Sequence, residues 1–272
     1  MKYHLNFLRV PGRQSVSAAA AFAIALILLS AGIKAPFAKD QEPQNAQWVV
    51  DIVQHGHWLL PHEYYGYVER KPPLFYWIAA VAVEASGGHV TEALARMPSL
   101  IAGAAIAAEV MFWTAAAIDP PPGWLAILFL LGMYGFASRA TLVLTDMLMT
   151  FLMLTAYYLL RPMLSGDARP GRVIACGMFL GLAILAKGPI ALVLVGTAAL
   201  IYLLLTRSHP LLLLTRLWPW TVVAIALGIA ALWYVPAFIT GRSSDLAGVF
   251  VAENFGHFLP AAIGGTGEAS RP

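Results

Sequence analysis

The sequence predicts an all-α fold, a polytopic transmembrane helical bundle with about seven spans. Two observations carry this prediction. First, 60% of the 272 residues are hydrophobic and only 11% are charged, whereas a soluble domain usually carries about 25% charged residues. Second, long apolar runs recur from one end of the chain to the other, and the mean hydropathy is +0.72.

The distribution of charge argues against a nucleic-acid partner. The formal net charge is +3, and the few cationic side chains lie at the ends of apolar segments rather than along one face. Such a pattern indicates topology signals in a membrane protein. The one cysteine, Cys176, lies within an apolar run, which excludes a disulfide framework and a cysteine-based metal site.

The first apolar run, 15–34, follows the basic residues Lys2, Arg9 and Arg13. It is long enough to span a bilayer and is interpreted as an uncleaved first helix; a cleaved signal peptide is the alternative. Basic loops favour the cytoplasm, so the arginine-rich loop at 161–172 is predicted to be cytoplasmic.

If every apolar segment crossed the membrane, the arginine-rich loop would lie outside, which contradicts the positive-inside rule. The segment at 74–86 resolves the conflict, because it is too short to span and suits an interfacial helix. A second interfacial helix is predicted before it, since Trp48 and Ile52 recur at helical spacing and Gly56 follows as a stop signal. The predicted spans are 15–34, 95–117, 123–139, 147–161, 172–186, 188–206 and 217–239.

The whole chain, 1–272, is therefore predicted to be one transmembrane module. Residues 35–94 form an outer loop that contains both interfacial helices. Residues 95–239 hold the six further spans, and 240–272 begin another outer loop.

Ionisable side chains collect at the outer face of this predicted bundle. Asp40 and Glu42 follow the first span, Asp146 lies between apolar residues at the start of the fourth, and Lys187 interrupts a long apolar run. An ionisable residue at the membrane is costly and indicates a functional site. Alternatively, Asp40 and Glu42 are solvated and Lys187 extends to the headgroups. Glu109, deeper in its span, is interpreted as a polar link between helices.

This cluster of carboxylates and lysines suits an anionic, lipid-linked substrate. Cations would hold a phosphate, and a carboxylate would act as general base on an acceptor hydroxyl. The histidines of "HGHWLLPHE" are the other candidate ligands. Their alternation places His55 and His57 on opposite sides of a helix, so we expect no metal site there.

Short motifs then follow one another in a recognisable order. After the acidic residues come "GHWLLP" (56–61), "ERKPPLFYW" (69–77), "ARMPS" (95–99), "LTDMLMT" (144–150), "LAKGP" (185–189), "LWYVP" (232–236) and "ENFGHF" (253–258). Together they resemble the membrane glycosyltransferases of the GT-C class, in particular the superfamily of the bacterial aminoarabinose lipid A transferases and the protein O-mannosyltransferases.

The resemblance implies an enzyme of the bacterial inner membrane whose active site faces the periplasm. It would transfer a sugar from a polyprenyl-phosphate donor, with inversion, to a lipid, glycan or protein acceptor. The resemblance implies no cofactor and no obligatory metal, although oligosaccharyltransferases of the same class need a divalent cation.

The resemblance also assigns the general base. The acidic pair of the family, normally Asp-Glu, falls at Gln41 and Glu42, with Asp40 one residue earlier. The predicted base is therefore Glu42 or Asp40. Asp146 matches the acidic residue of the second outer loop.

The predicted ligands of the lipid phosphate begin with Lys71, with Glu69 and Arg70 beside it. In the last motif the family usually has arginine where this chain has His257, which predicts weaker or pH-dependent phosphate binding. The remaining predicted substrate-binding residues are Arg96, Lys187 and Glu253.

Family members generally run to about twice this length, so the chain is expected to be the N-terminal module of a truncated gene or a fragment. Two other functions stay open. A transporter of lipid-linked sugars would need polar residues through the bilayer depth, whereas the charges here cluster at one edge. A catalytically silent membrane subunit would fit the shortened chain.

Overall fold

A computed structural model describes residues 11–37, 41–62, 71–117, 120–206 and 215–240. These residues form ten helices and no strand, which confirms the all-α prediction. The helices are α1 (Pro11–Leu29), α2 (Gln41–His55), α3 (Leu74–Ala85), α4 (Glu92–Ala117), α5 (Pro120–Gly132), α6 (Tyr134–Ala140), α7 (Asp146–Leu164), α8 (Pro170–Lys187), α9 (Ile190–Leu205) and α10 (Leu217–Thr240).

Four of the described helices, α4, α7, α8 and α10, are long and apolar enough to cross a membrane. The predicted span at 123–139 is not one continuous helix, because α5 and α6 meet at Met133 with a bend of 75°. Gly132 weakens the helix at this point. Counting the bent pair as one span gives up to five among the described residues. The protein is thus a polytopic helical membrane protein, and the count of seven spans stays a prediction.

Helices α2 and α3 confirm that the stretch 35–94 contains two helices, while its outer, interfacial position stays a prediction. α2 buries Trp48 and Ile52 on one face and ends at His55, where Gly56 adopts a φ of +70° that favours glycine. α3 has 12 residues, too few to span, and buries Phe75 and Tyr76 completely.

The chain divides into two compact units. The first unit comprises residues 1–54 and 75–155, and the second comprises residues 55–74 and 156–272. In the first unit α4 packs against α1, α5 and α6. Thr155 donates a hydrogen bond to Glu109 there, which confirms the predicted polar link between two helices.

In the second unit the main helix pair is α8 with α10. Gly177 and Gly181 lie on the face of α8 that meets α10. A Cβ at Gly177 would lie 2.8 Å from the Cβ of Ile225, and one at Gly181 would lie 2.8 Å from the Cβ of Ile229. Small residues are favoured at such crossings because they let two helix backbones approach closely in a membrane.

Two arginines of the loop that was predicted to lie in the cytoplasm are close to the start of α8, Arg169 in the turn before the helix and Arg172 in its first turn. Asp167 accepts hydrogen bonds from Arg169 at 2.9 Å and pairs with Arg172 at 2.6 Å. The hydrogen bond from Arg172, aided by both positive charges, lowers the pKa of Asp167. Pro170 occupies the first turn of α8, where its missing N–H would be unpaired in any case.

We expect Gly181→Ala to lower the free energy of unfolding by about 1–3 kcal/mol, because the new methyl group would overlap Ile229 and the carbonyl of Ala226. Gly196→Ala in α9 is the matched control, since nothing lies within 4 Å of its Cβ position. The control should be neutral or slightly stabilising. Thermal unfolding in detergent measures both, and an equal change of Tm would contradict the close α8–α10 contact.

Candidate functional site

A buried ion pair between Glu42 and Arg96 connects α2 to α4 in the first unit. The Nε of Arg96 donates to Oε1 of Glu42 at 2.7 Å, and Nη2 donates to Oε2 at 3.0 Å. Glu42 is 1% exposed and Arg96 3% exposed. Charges removed from water in this way must be paired and hydrogen-bonded, and the two-point geometry of guanidinium with carboxylate meets that need.

The rest of the Arg96 guanidinium holds the segment that follows α1. Nη1 donates to the carbonyls of Ile33 at 2.8 Å and Ala35 at 2.6 Å, and Nη2 donates to that of Pro36 at 3.4 Å. The guanidinium also stacks on the ring of Phe37. Arg96 was predicted to bind substrate, but in the structure its hydrogen-bond donors bind other groups of the protein.

Glu42 accepts one hydrogen bond more, from the backbone N–H of Val143 at 3.1 Å. Three N–H groups therefore point at a carboxylate that is closed off from solvent. A general base needs to reach the proton of its acceptor. This geometry suits a structural role for Glu42 better than its predicted role as base.

The turn that leads into α7 is held by two further buried side chains. The Asn45 side-chain amide donates to the carbonyl of Val143 at 2.6 Å, and the hydroxyl of Ser99 donates to that of Leu144 at 2.9 Å. Tyr76 in turn donates to Asn45 at 3.5 Å. Asn45 and Ser99 could not be predicted from the sequence, because their partners are backbone groups distant in sequence.

Asp146 is the first residue of α7, directly after this turn. A helix N-terminus favours a negative charge, and Nη1 of Arg139 pairs with Oδ2 of Asp146 at 2.9 Å. Asp146 is 23% exposed and Arg139 54% exposed, so solvent or a ligand reaches the pair. Arg139 was not predicted as a site residue from the sequence, because it was taken as the last residue of the span 123–139.

Lys71 and Lys187 belong to the second unit. Lys71 is half-buried and directly precedes Pro72 and Pro73. Lys187 is the half-buried last residue of α8, where the helix C-terminus favours a cation. The chain turns at Gly188, which has a φ of +111°. Helices α8 and α9 therefore meet in a turn directly after Lys187, as the predicted spans 172–186 and 188–206 require.

The histidines of the second unit do not follow the predicted alternation. Since α2 ends at His55, the next residues leave the helix, and His57 stacks on His55 with ring centroids 5.9 Å apart. The ring of His62 meets that of His57 at 4.9 Å. The helical argument against a metal site was therefore wrong. The absence of an obligatory metal stays a prediction.

Five predicted site residues lie outside the described residues, and their roles stay predictions. They are Asp40, Glu69, Arg70, Glu253 and His257.

A family model described as dolichyl-phosphate-mannose-protein mannosyltransferase matches residues 70–234, more than half of the chain. No match was found among curated protein sequences.

Two solved structures share the fold. Both are ArnT from Cupriavidus metallidurans, one bound to undecaprenyl phosphate and one in the apo state. The TM-scores are 0.71 and 0.72, with 23% sequence identity and 91% of this chain covered in each. The alignments cover 48% and 47% of the ArnT chains, so this chain spans about half their length.

We expect Arg96→Gln to lower the free energy of unfolding by about 3–5 kcal/mol, because it leaves the Glu42 carboxylate buried without its countercharge. Arg139→Gln is the matched control, since it breaks a pair that is partly exposed and worth about 0–1 kcal/mol. Thermal unfolding of the two variants in detergent makes the comparison. Similar losses of Tm would contradict a dominant role of the buried pair.

Proposed function

The chain belongs to the dolichyl-phosphate-mannose-protein mannosyltransferase family, and from this membership we propose that it transfers a sugar from a polyprenyl-phosphate donor to an acceptor at the periplasmic face of the bacterial inner membrane. The fold supports the proposal, because a structure with this fold is bound to undecaprenyl phosphate. The observation that carries it is Asp146, an accessible carboxylate beside Arg139 at the start of a membrane helix.

The proposed reaction is a single displacement at the anomeric carbon. A carboxylate accepts the proton of the acceptor hydroxyl while the hydroxyl oxygen attacks the sugar from the face opposite the phosphate. The bond between the anomeric carbon and the phosphate oxygen breaks, and the polyprenyl phosphate leaves with the electron pair. This displacement inverts the configuration of the sugar.

The base in this proposal is Asp40 or Asp146. Glu42 is not assigned that role, because the Arg96 guanidinium and the Val143 N–H already bind its carboxylate. Its buried position supports a role in holding the outer loop instead.

The leaving phosphate needs positive charge close to it in the transition state. Lys71 and Lys187 are the proposed sources, with Glu69 and Arg70 beside Lys71. Lysine ammonium groups bind phosphate as point charges, so we propose that the reaction needs no cofactor or divalent cation. The sugar and the acceptor are left open.

The first experiment measures transfer of radiolabelled sugar from a polyprenyl-phosphate donor in membranes that contain the chain. Replacing the base should reduce transfer by about 10²- to 10⁴-fold, so Asp40→Asn and Asp146→Asn are each compared with wild type. Asp167→Asn is the matched control, because its carboxylate pairs with Arg169 and Arg172, which are close to it in the chain.

Transfer that is lost in one acidic variant and kept in the Asp167→Asn control would identify the base. If the wild-type chain shows no transfer, the assay is repeated with the C-terminal half of a full-length relative appended. Absence of transfer in both forms would contradict the proposal and favour a lipid-linked-sugar transporter.

We expect transfer to continue after treatment with EDTA, because lysine side chains rather than a metal ion neutralise the phosphate in the proposed reaction. The measurement is the initial rate with and without the chelator. Loss of the rate with EDTA and its return with Mg²⁺ would contradict this part of the proposal.

A further inference from the structure

The turn at 141–145, between α6 and α7, connects the two charged residues of the exposed pair. Arg139 lies in α6 just before the turn, and Asp146 begins α7 just after it. The position of one charge relative to the other therefore depends on how this turn is held. We propose that Asn45 and Ser99 are positioning residues that set the place of Asp146, an inference that rests on the proposed function.

Both residues act on the main chain of the turn. Asn45, on α2, donates to the Val143 carbonyl at 2.6 Å, and Ser99, on α4, donates to the Leu144 carbonyl at 2.9 Å. Asn45 is 98 positions from Val143, and Ser99 is 45 from Leu144. Two separate helices thus fix adjacent peptide groups, the last of them two residues before Asp146.

Val143 is bound at both of its backbone polar groups. Its N–H donates to Glu42 at 3.1 Å, and its carbonyl accepts from Asn45. Glu42 and Asn45 are three residues apart, so they lie on the same face of α2. The Glu42–Arg96 ion pair holds that face in place, and Asn45 extends the same support to the turn.

The network is buried and satisfied, and that makes it rigid. Asn45 is 3% exposed, while Ser99 and Val143 are fully buried. A satisfied buried network fixes one arrangement, because every alternative leaves a polar group without a partner. Asp146 itself is more exposed, so its own contacts constrain it less than the backbone that precedes it.

A rigid turn matters for the proposed reaction because catalytic groups tolerate little displacement. A misplacement of about 1 Å can cost about 10²-fold in rate. Loss of Asn45 or Ser99 would free the backbone at Val143 or Leu144 and let Asp146 move. In this proposal the side chains of Asn45 and Ser99 contact neither the sugar donor nor the sugar acceptor. They act by positioning Asp146.

The first test does not depend on sugar transfer. Asp146→Cys introduces a thiol at the site in a Cys176→Ala background, and the rate of its reaction with a maleimide is measured in membranes. Adding Asn45→Ala or Ser99→Ala should raise this rate about tenfold, because local opening of the turn exposes the thiol. Thr141→Val is the matched control, since the Thr141 hydroxyl bonds only to the nearby carbonyls of α6.

The second test uses transfer kinetics in the presence of Asp146. Asn45→Ala and Ser99→Ala should lower kcat by about 10- to 100-fold and leave the KM for the donor within about twofold, because donor-binding groups are untouched. In an Asp146→Asn background the same substitutions should cause almost no further loss. A merely structural role would lower the amount of folded protein without this dependence on Asp146.

The outcomes separate the two proposals. Unchanged maleimide rates, or full additivity with Asp146→Asn, would overturn the positioning role. Raised maleimide rates in a chain that transfers no sugar, either alone or with the appended C-terminal half, would support the anchoring of Asp146 and contradict the proposed function. If Asn45→Ala fails to fold by size-exclusion chromatography, Ser99→Ala carries both tests, since it removes a single hydrogen bond.

Discussion

The buried ion pair of Glu42 and Arg96 is the interaction on which the surrounding helices and loops of the first unit depend. Each charge would be very costly to bury alone. As a pair they neutralise each other, and each side chain also binds backbone groups. Arg96 donates hydrogen bonds to the carbonyls after α1, and Glu42 accepts one from the N–H of Val143. One pair therefore fixes α2 against α4 and gives the loops of this face a defined position. The accessible pair at Asp146 is built on that frame.

Helix packing in the second unit follows a different physical rule. Apolar side chains gain little by leaving lipid for a helix interface, so close packing and small residues replace the hydrophobic effect there. Gly177 and Gly181 let α8 approach the backbone of α10, while large side chains such as Leu205 and Leu217 stay exposed at helix ends. An exposed apolar surface of this kind suits contact with lipid tails. Buried polar bonds hold the loops around the ion pair in the first unit, whereas close approach of the two backbones holds this helix pair.

Sequence patterns alone predicted the all-α membrane fold, because apolar runs and their charged ends report directly on the bilayer. They also placed the helices of the first outer loop, the corner after Lys187 and the link at Glu109. Local signals suffice for such features: a run of apolar residues, a glycine stop, a lone carboxylate in a span. The order of short motifs further indicated the family to which the chain belongs. These conclusions can be reached without knowing which residues contact each other in the folded protein.

The partners of the charged residues could be decided only by the tertiary structure. Glu42 and Arg96 are 54 residues apart, and no local pattern shows that they pair with each other. Asn45 and Ser99 bind backbone carbonyls, which every residue carries, so the sequence holds no signature of their partners. The break at Met133 lies in an apolar run that the sequence pattern predicts to be one helix. Hydropathy reports how each residue meets the bilayer, whereas these contacts depend on how distant segments meet each other.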